Sequence, residues 1–387
     1  MSAGKLAVAV VGQGFMGRAH SFAWSRVRQL PGGALRPELA VLCGRDPEAL
    51  QRNGGLLGFA EVSTDWRAVV ARDDVDLVDV CVPGASHAEI VLGALDAGKH
   101  VLCEKPLANT VEQARAMTGA ADRAAGRGRF AMVGFNYRRV PALALASRLV
   151  GEGRIGTVRH VRARYLQDWL VDPDFPLTWR LDAGAAGSGA LGDLGAHLID
   201  LIRFLTGSEI AEVAALAGTF VRERPLPSQA SGLSATAAGG AATGTVTVDD
   251  ASLAVARLSG GALATIEATR MAPGSKNGLR IELNGSAGSI AFDLERLNEL
   301  QVYEAGGPAD GYREVLVTNP GDPYLAQWWP PGHVLGWEHT FIHQCQDLLA
   351  AIADGRQPAP SFADGLAVQL VLDAIERSSS ERCFVAL

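Results

Sequence analysis

The sequence predicts a two-domain α/β protein that opens with a doubly wound parallel sheet. Three observations lead there. At 387 residues the chain is long for a single hydrophobic core. Through its first third, short apolar runs alternate with helical patterns, the rhythm of successive βα units. A glycine-rich turn joins the first apolar run to the first helix, where such sheets gather their ligands.

Residues 6–11 form a continuous apolar run, as expected of a strand buried on both faces. Gly12, Gly14 and Gly17 follow in G-x-G-x-x-G spacing, with Phe15 and Met16 inside the turn and a helix expected over 18–29. Glycines so placed permit a tight turn, close approach to a pyrophosphate and close helix–strand packing, while the helix N-terminus supplies N–H donors. These five residues are read as a dinucleotide-binding turn. The next strand, 39–43, ends in Gly44 and Arg45, where an NAD site usually carries a carboxylate for the ribose 2′-hydroxyl. Asp46 before Pro47 looks like a helix cap. A small residue beside an arginine suits a 2′-phosphate, so the pair points to NADP over NAD; Arg45 lying over the adenine is the other reading.

The alternation continues with a short helix over 65–71 and a strand over 77–82 that ends at Pro83, four residues before His87. A helix over 88–97 and a strand over 100–103 lead to Glu104-Lys105-Pro106, then a helix over 110–125 and a strand over 129–135. Pro83, His87, Glu104 and Lys105 all fall at carboxyl ends of strands, the ligand edge of such a sheet. Lys105 read alone is a strand-end surface charge. Held before a proline, it could also stabilise an alkoxide.

The stretch 184–200 begins with small residues and becomes helix-like, with Asp193 and His197 four apart on one face. A carboxylate beside an imidazole can orient a general base, although the same spacing arises often by chance. Around it, a helix is expected over 142–150, and 158–167 alternates arginine with apolar residues as a sheet with one wet face would. Gln167, Asp168, Trp169, Trp179 and Arg180 could serve a polyol or pack domains together. Strands are expected over 211–222, 244–248, 251–258, 262–269, 279–284 and 289–292. A long mobile loop is expected over 227–242 and a lid or packing loop over 321–336. Helices are expected over 337–352 and 363–379. In the first of these, His339 and His343 lack an obvious third ligand, so no metal site is predicted.

Hydrophobic residues at 48% and charged residues at 20% describe a globular chain, so disorder is not expected. Lys and Arg number 35 against 42 Asp and Glu, and 35 − 42 = −7 argues against nucleic acid or an anionic membrane as partner. The five cysteines are odd in number, form no CxxC and read as reduced thiols. The first apolar run flows into the glycine turn rather than a cleavage site, and a cytoplasmic protein is expected.

With the glycine turn, Glu104-Lys105-Pro106 and Asp193-x-x-x-His197 in this order, the chain resembles the Gfo/Idh/MocA oxidoreductases nearly end to end. That resemblance implies a Rossmann domain over 1–136. It further implies an α+β domain over 137–387, whose large, mostly antiparallel open sheet commonly builds a homo-oligomer, a dimer or tetramer. It also implies catalytic roles for Lys105, Asp193 and His197: the histidine as base, the aspartate as its partner, and the lysine on the reacting hydroxyl. The segments 134–141, 165–169, 176–180, 187–193 and 361–365 are similar to the sugar 3-dehydrogenase branch, whose members oxidise pyranoses or anhydrosugars such as levoglucosan. They add Asn136, Tyr165, Gln167, Trp179 and Arg180 to Lys105, Asp193 and His197 as substrate contacts. Levoglucosan-oxidising members use NAD with an acidic residue where this chain has Gly44-Arg45, so the coenzyme is NAD or NADP. An inositol dehydrogenase and a keto-sugar reductase are alternatives within the family. A dinucleotide-sensing regulator is the non-enzymatic one, though such a protein need not keep the lysine.

Overall fold

The computed structural model describes residues 4–228, 235–238, 240, 242–307 and 310–387. The chain divides into two units. One comprises Met1–Asn136 with Glu338–Gln369, the other Tyr137–Trp337 with Leu370–Leu387.

The first unit is built from β1 (Gly4–Val11), α1 (Phe15–Val27), β2 (Leu35–Cys43), α2 (Pro47–Leu57), β3 (Glu61–Ser63), α3 (Trp66–Val70), β4 (Leu77–Val80), α4 (His87–Asp96), β5 (His100–Cys103), α5 (Val111–Ala125) and β6 (Ala131–Val133). Its six strands are ordered β3-β2-β1-β4-β5-β6 and every pairing is parallel. The order reverses between β1 and β4, which makes their carboxyl ends the topological switch point. Val8, Val10, Leu77, Val78 and Val80 are fully buried, as the unbroken apolar runs require. Asp46 caps α2 by accepting from Ala49 N at 3.1 Å, and Thr110 caps α5 by accepting from Gln113 N at 3.2 Å. The first helix starts at Phe15 rather than 18 because the glycine turn already carries helical backbone. The second strand starts at Leu35 rather than 39 because pairing with β1 extends it through Pro37.

The second unit holds α6 (Pro141–Gly151), β7 (Val158–Leu166), α7 (Ala183–Ala186), a π turn (Leu191–Gly195), α8 (Ala196–Thr206) and β8 (Ile210–Gly218). The short ribbon of β9 (Glu223–Pro225) and β10 (Thr243–Thr245) follows. Then come β11 (Ala251–Leu258), β12 (Leu263–Thr269), β13 (Gly278–Gly285), β14 (Gly288–Asp293), β15 (Glu299–Glu304) and β16 (Arg313–Leu316). With β17 (Val385–Ala386) they form a nine-stranded sheet in the order β16-β15-β14-β13-β7-β12-β11-β8-β17. Among the described residues its pairings are antiparallel except that of β7 with β12. Alternation along β11 buries Ala254 and Ala256 and exposes Leu253 and Val255; Leu216 and Leu263 are exposed as well, so part of the open face is apolar.

Two helices close the chain, α9 (His339–Ala353) and α10 (Phe362–Glu381). Inside the first unit α9 packs along α1, with the Phe341 ring 5.3 Å from that of His20. A helical pattern does not say which sheet it covers. The single cut drawn after 136 from sequence therefore omitted the return of Glu338–Gln369 to the first unit. Half of the loop expected over 227–242 lies outside the described residues. Among the described residues no helix is long and apolar enough to cross a membrane.

His100, at the start of β5, is buried, and its Nδ1 accepts from Phe130 N at 3.0 Å. Burial, with Arg129 alongside, lowers its pKa from 6.5 to about 4. The unfolded chain takes a proton here before the folded one does, so this contribution is complete above 6.5 and is lost as pH falls toward 4. Urea melts should show native protein losing about 2–3 kcal/mol more than His100→Asn between neutral pH and about pH 4.5. Parallel losses would show that His100 is not the group responsible.

Candidate active site

The glycine turn is crowded on two sides and open on the third. Gly12 has φ +117°, and a Cβ there would lie 2.3 Å from the Cys81 carbonyl oxygen. On Gly17 it would lie 1.8 Å from the Gly12 carbonyl oxygen. On Gly14 it would meet nothing within 4 Å. The first and third glycines therefore serve the chain's own packing, and the second leaves an approach to the backbone. Gly14 also caps α1 with no side-chain hydrogen bond, and the first turn has no acidic residue, so its N–H groups and dipole favour an anion. Phe15 is exposed and Met16 half-buried, which leaves their backbone as the usable part.

At the end of β2, the Gln13 side chain folds against Gly44 and donates to the Asp46 carbonyl at 3.2 Å. Asp46 is engaged in capping, and Arg45 is exposed. After β4, Pro83 leads to His87, which is buried with Nε2 2.9 Å from the Val82 carbonyl and Nδ1 3.0 Å from that of Pro106. Burial, partly opposed by these carbonyls, holds its pKa below the ordinary histidine value. His87 thus bridges two strand-end loops, one of them holding Lys105. Glu104 is buried and Lys105 half-buried. Asn136 is buried too, and donates to Thr340 Oγ1 at 2.8 Å.

In the second unit the segment before His197 is organised by Asp249. Its Oδ1 accepts from Gly189 N at 2.6 Å and its Oδ2 from Leu191 N at 2.8 Å, capping the start of the π turn. A Cβ on Gly189 would lie 1.8 Å from the Asp249 carbonyl oxygen. Gly189 therefore answers to packing inside the unit. Asp193 lies in the π turn, half-buried, with Oδ2 3.8 Å from Arg270 Nη1. Burial lowers the pKa of both Arg180 and Arg270, and the Asp193 charge works against that in each. His197, one residue into α8, is buried with its ring 4.5 Å from Tyr137 and 6.1 Å from Tyr165.

Those tyrosines belong to a directed hydrogen-bond chain. Trp337 Nε1 donates to Tyr137 Oη at 3.3 Å, and the two hydroxyls are 2.9 Å apart. Tyr165 donates to Asn277 Oδ1 at 2.6 Å, so the proton between the hydroxyls belongs to Tyr137. Gln167 Nε2 also donates to Asn277 Oδ1, at 2.8 Å, and Trp169 Nε1 donates to Gln167 Oε1 at 2.8 Å. Burial pushes the pKa of both tyrosines up, so they remain protonated. Trp169 packs on Phe175 beside Leu170, Leu181, Val246 and Val248. Asp168 pairs with Lys276 at 2.6 Å. Trp179 keeps an exposed face, with the Arg180 guanidinium 4.4 Å over its ring.

Residues 6–135 match the oxidoreductase family with an NAD-binding Rossmann fold, and residues 143–291 match the GFO/IDH/MocA C-terminal domain. The chain belongs to the Gfo/Idh/MocA family. It is 42% identical to levoglucosan dehydrogenase of Pseudarthrobacter phenanthrenivorans over 98% of this chain and 97% of that protein. An oxidoreductase domain protein from Kribbella flavida superposes with a TM-score of 0.94 at 56% identity, covering 99% of each chain. The structure of levoglucosan dehydrogenase in complex with NADH and levoglucosan superposes with a TM-score of 0.92 at 40% identity, again over 99% of each chain.

This Gfo/Idh/MocA oxidoreductase carries site features that sequence reasoning missed. Arg270 lies beside Asp193, Tyr137 lies beside His197, Asn277 holds Tyr165, and His20 and Asp79 lie buried near Glu104. His20 had one legible signal, a polar side chain on the α1 face that also buries Gly17, Trp24 and Val27.

The glycine turn yields a paired test. Gly17→Ala should cost more than about 3 kcal/mol of stability or fail to accumulate. Gly14→Ala should melt within about 1 kcal/mol of native yet lose NADH affinity in a fluorescence titration. Native-like NADH binding by Gly14→Ala would place the dinucleotide elsewhere.

Proposed function

We propose that this oxidoreductase oxidises a secondary ring hydroxyl, at C3, of a pyranose or anhydrosugar such as levoglucosan. The observation that carries the reading is the full-length likeness to levoglucosan dehydrogenase at 42% identity. In the chain itself, a buried imidazole packed against Tyr137 and near Tyr165 supports it, being suited to receive a proton away from bulk water.

His197 takes the hydroxyl proton of the substrate. Asp193 is the partner of that imidazole, and its carboxylate lies 3.8 Å from the Arg270 guanidinium. The Lys105 ammonium stabilises the oxygen as it becomes an alkoxide. The bound nicotinamide supplies the hydride acceptor. Trp179 and Arg180 offer an aromatic face and donors to the sugar. At the other end of the coenzyme, Gly44 and exposed Arg45 admit a 2′-phosphate, so NADP is accepted alongside NAD.

A panel of pyranoses, anhydrosugars and cyclitols assayed with NAD and with NADP tests this directly. Lys105→Met and His197→Ala should each lower kcat by about 10²–10⁴-fold while leaving NADH binding near native. Arg45→Ala should raise KM for NADP and not for NAD. Near-native turnover by His197→Ala, or cofactor binding without turnover across the panel, would overturn the reading.

A further inference from the structure

A buried ionic cluster lies beside Lys105 and takes no part in the steps above. His20, on α1 three residues beyond Gly17, is fully buried. Its Nδ1 is 3.0 and 2.9 Å from the two carboxylate oxygens of Asp79, and its Nε2 is 2.9 Å from Glu104 Oε1. Trp24 Nε1 donates to Asp79 Oδ2 at 2.7 Å, and Cys81 Sγ to Asp79 Oδ1 at 3.4 Å. The ligand-type atoms of His20, Asp79 and Cys81 are close enough to hold a metal. Hydrogen bonds among themselves and to Glu104 and Trp24 already account for them.

Each nitrogen of His20 faces a carboxylate. A neutral imidazole has one N–H and would set its other nitrogen, lone pair first, against a carboxylate oxygen. The imidazolium satisfies both sides with charge-assisted bonds. Burial by itself lowers the pKa of His20, but the Asp79 carboxylate and its hydrogen bond outweigh that, and the net shift is well above the ordinary value. His87 is the control within the same unit: equally buried, facing backbone carbonyls, and shifted downward.

The cluster joins three elements, namely α1 behind the glycine turn, β4 through Asp79, and the end of β5 through Glu104. Glu104 Oε2 accepts from Lys105 N at 3.3 Å. The Glu104 carboxylate is boxed in by Gly134, where a Cβ would come within 2.8 Å of Oε1. On the far side of Lys105, His87 holds the carbonyls of Pro106 and Leu107.

We propose that His20 is a positioning residue: clamped between Asp79 and Glu104, it fixes the Glu104 carboxylate and through it the backbone that presents Lys105. The inference rests on the role of Lys105 proposed above. Without the imidazolium, two buried carboxylates are left uncompensated, and one must take a proton or turn away. Either change loosens the support of the lysine while the glycine turn keeps its own packing.

The test is a double-mutant cycle in the full-length enzyme. His20→Gln should lower kcat by roughly 10–10²-fold, with KM for the sugar and the NADH dissociation constant near native. Added to Lys105→Met, it should change the residual turnover little. An equal loss in both backgrounds would mean His20 acts by another route, and an unchanged kcat with a lowered Tm would mean it is structural only; either overturns the proposal. Near-native turnover by Lys105→Met would instead remove the lysine reading on which it rests. Should His20→Gln not fold, nitrogen-15 spectra of native protein decide the matter. Asp79, Cys81 and Glu104 face the ring, with Phe341 packed against it from α9. Both ring nitrogens should be protonated at neutral pH, and a neutral tautomer would overturn the clamp.

Discussion

Where β1 runs out, the backbone of Gly12 presses on the Cys81 carbonyl, and Gly17 presses in turn on Gly12. No side chain fits at either contact. This steric constraint sets the angle at which α1 leaves the sheet, and much of the first unit follows from it. The helix then presents uncapped N–H groups at one end, the arrangement a pyrophosphate needs. One turn further along, the same helix delivers His20 and Trp24 to Asp79 on β4. Anion binding and the support of the β5 edge thus share one origin.

The second unit solves its positioning problem with a polar contact rather than a steric one. Asp249 receives two backbone N–H groups at the start of the π turn, and Arg270 and Arg180 oppose the charge of Asp193 within it. A π turn inserts a residue into the helical ladder, which rotates Asp193 away from where a regular helix would put it. His197 begins the regular helix that follows, and the tyrosines against its ring are locked by Asn277. The positions of Asp193 and His197 are therefore consequences of side chains remote in sequence.

That separation explains what could be read in advance. The parallel sheet was legible because strands buried on both faces must be uninterrupted runs of apolar residues, and the glycine turn because its spacing has a steric cause. The Asp46-Pro47 and Thr110 caps were legible for the same local reason. The π turn was not, since nothing within 191–195 announces the Asp249 contact. His20, Asp79 and Glu104 lie 59 and 84 residues apart in the two hydrogen-bonded pairs, and no periodicity links them. Asn277, on a turn before β13, carried no motif. β15 and β16 were missed because short strands with charged residues on the open face dilute the apolar signal. Trp169, even-handed in sequence between sugar contact and packing, lies against an apolar cluster.

In the proposed reaction, hydride leaves C3 of a ring sugar as His197 takes the proton from the attached oxygen. The most direct measurement follows the label from levoglucosan deuterated at C3 alone, under turnover with NAD. Deuterium should be recovered on the reduced nicotinamide, and kcat/KM should fall relative to unlabelled sugar. Deuterium retained in the oxidised sugar, with hydride drawn from another carbon, would contradict that reaction.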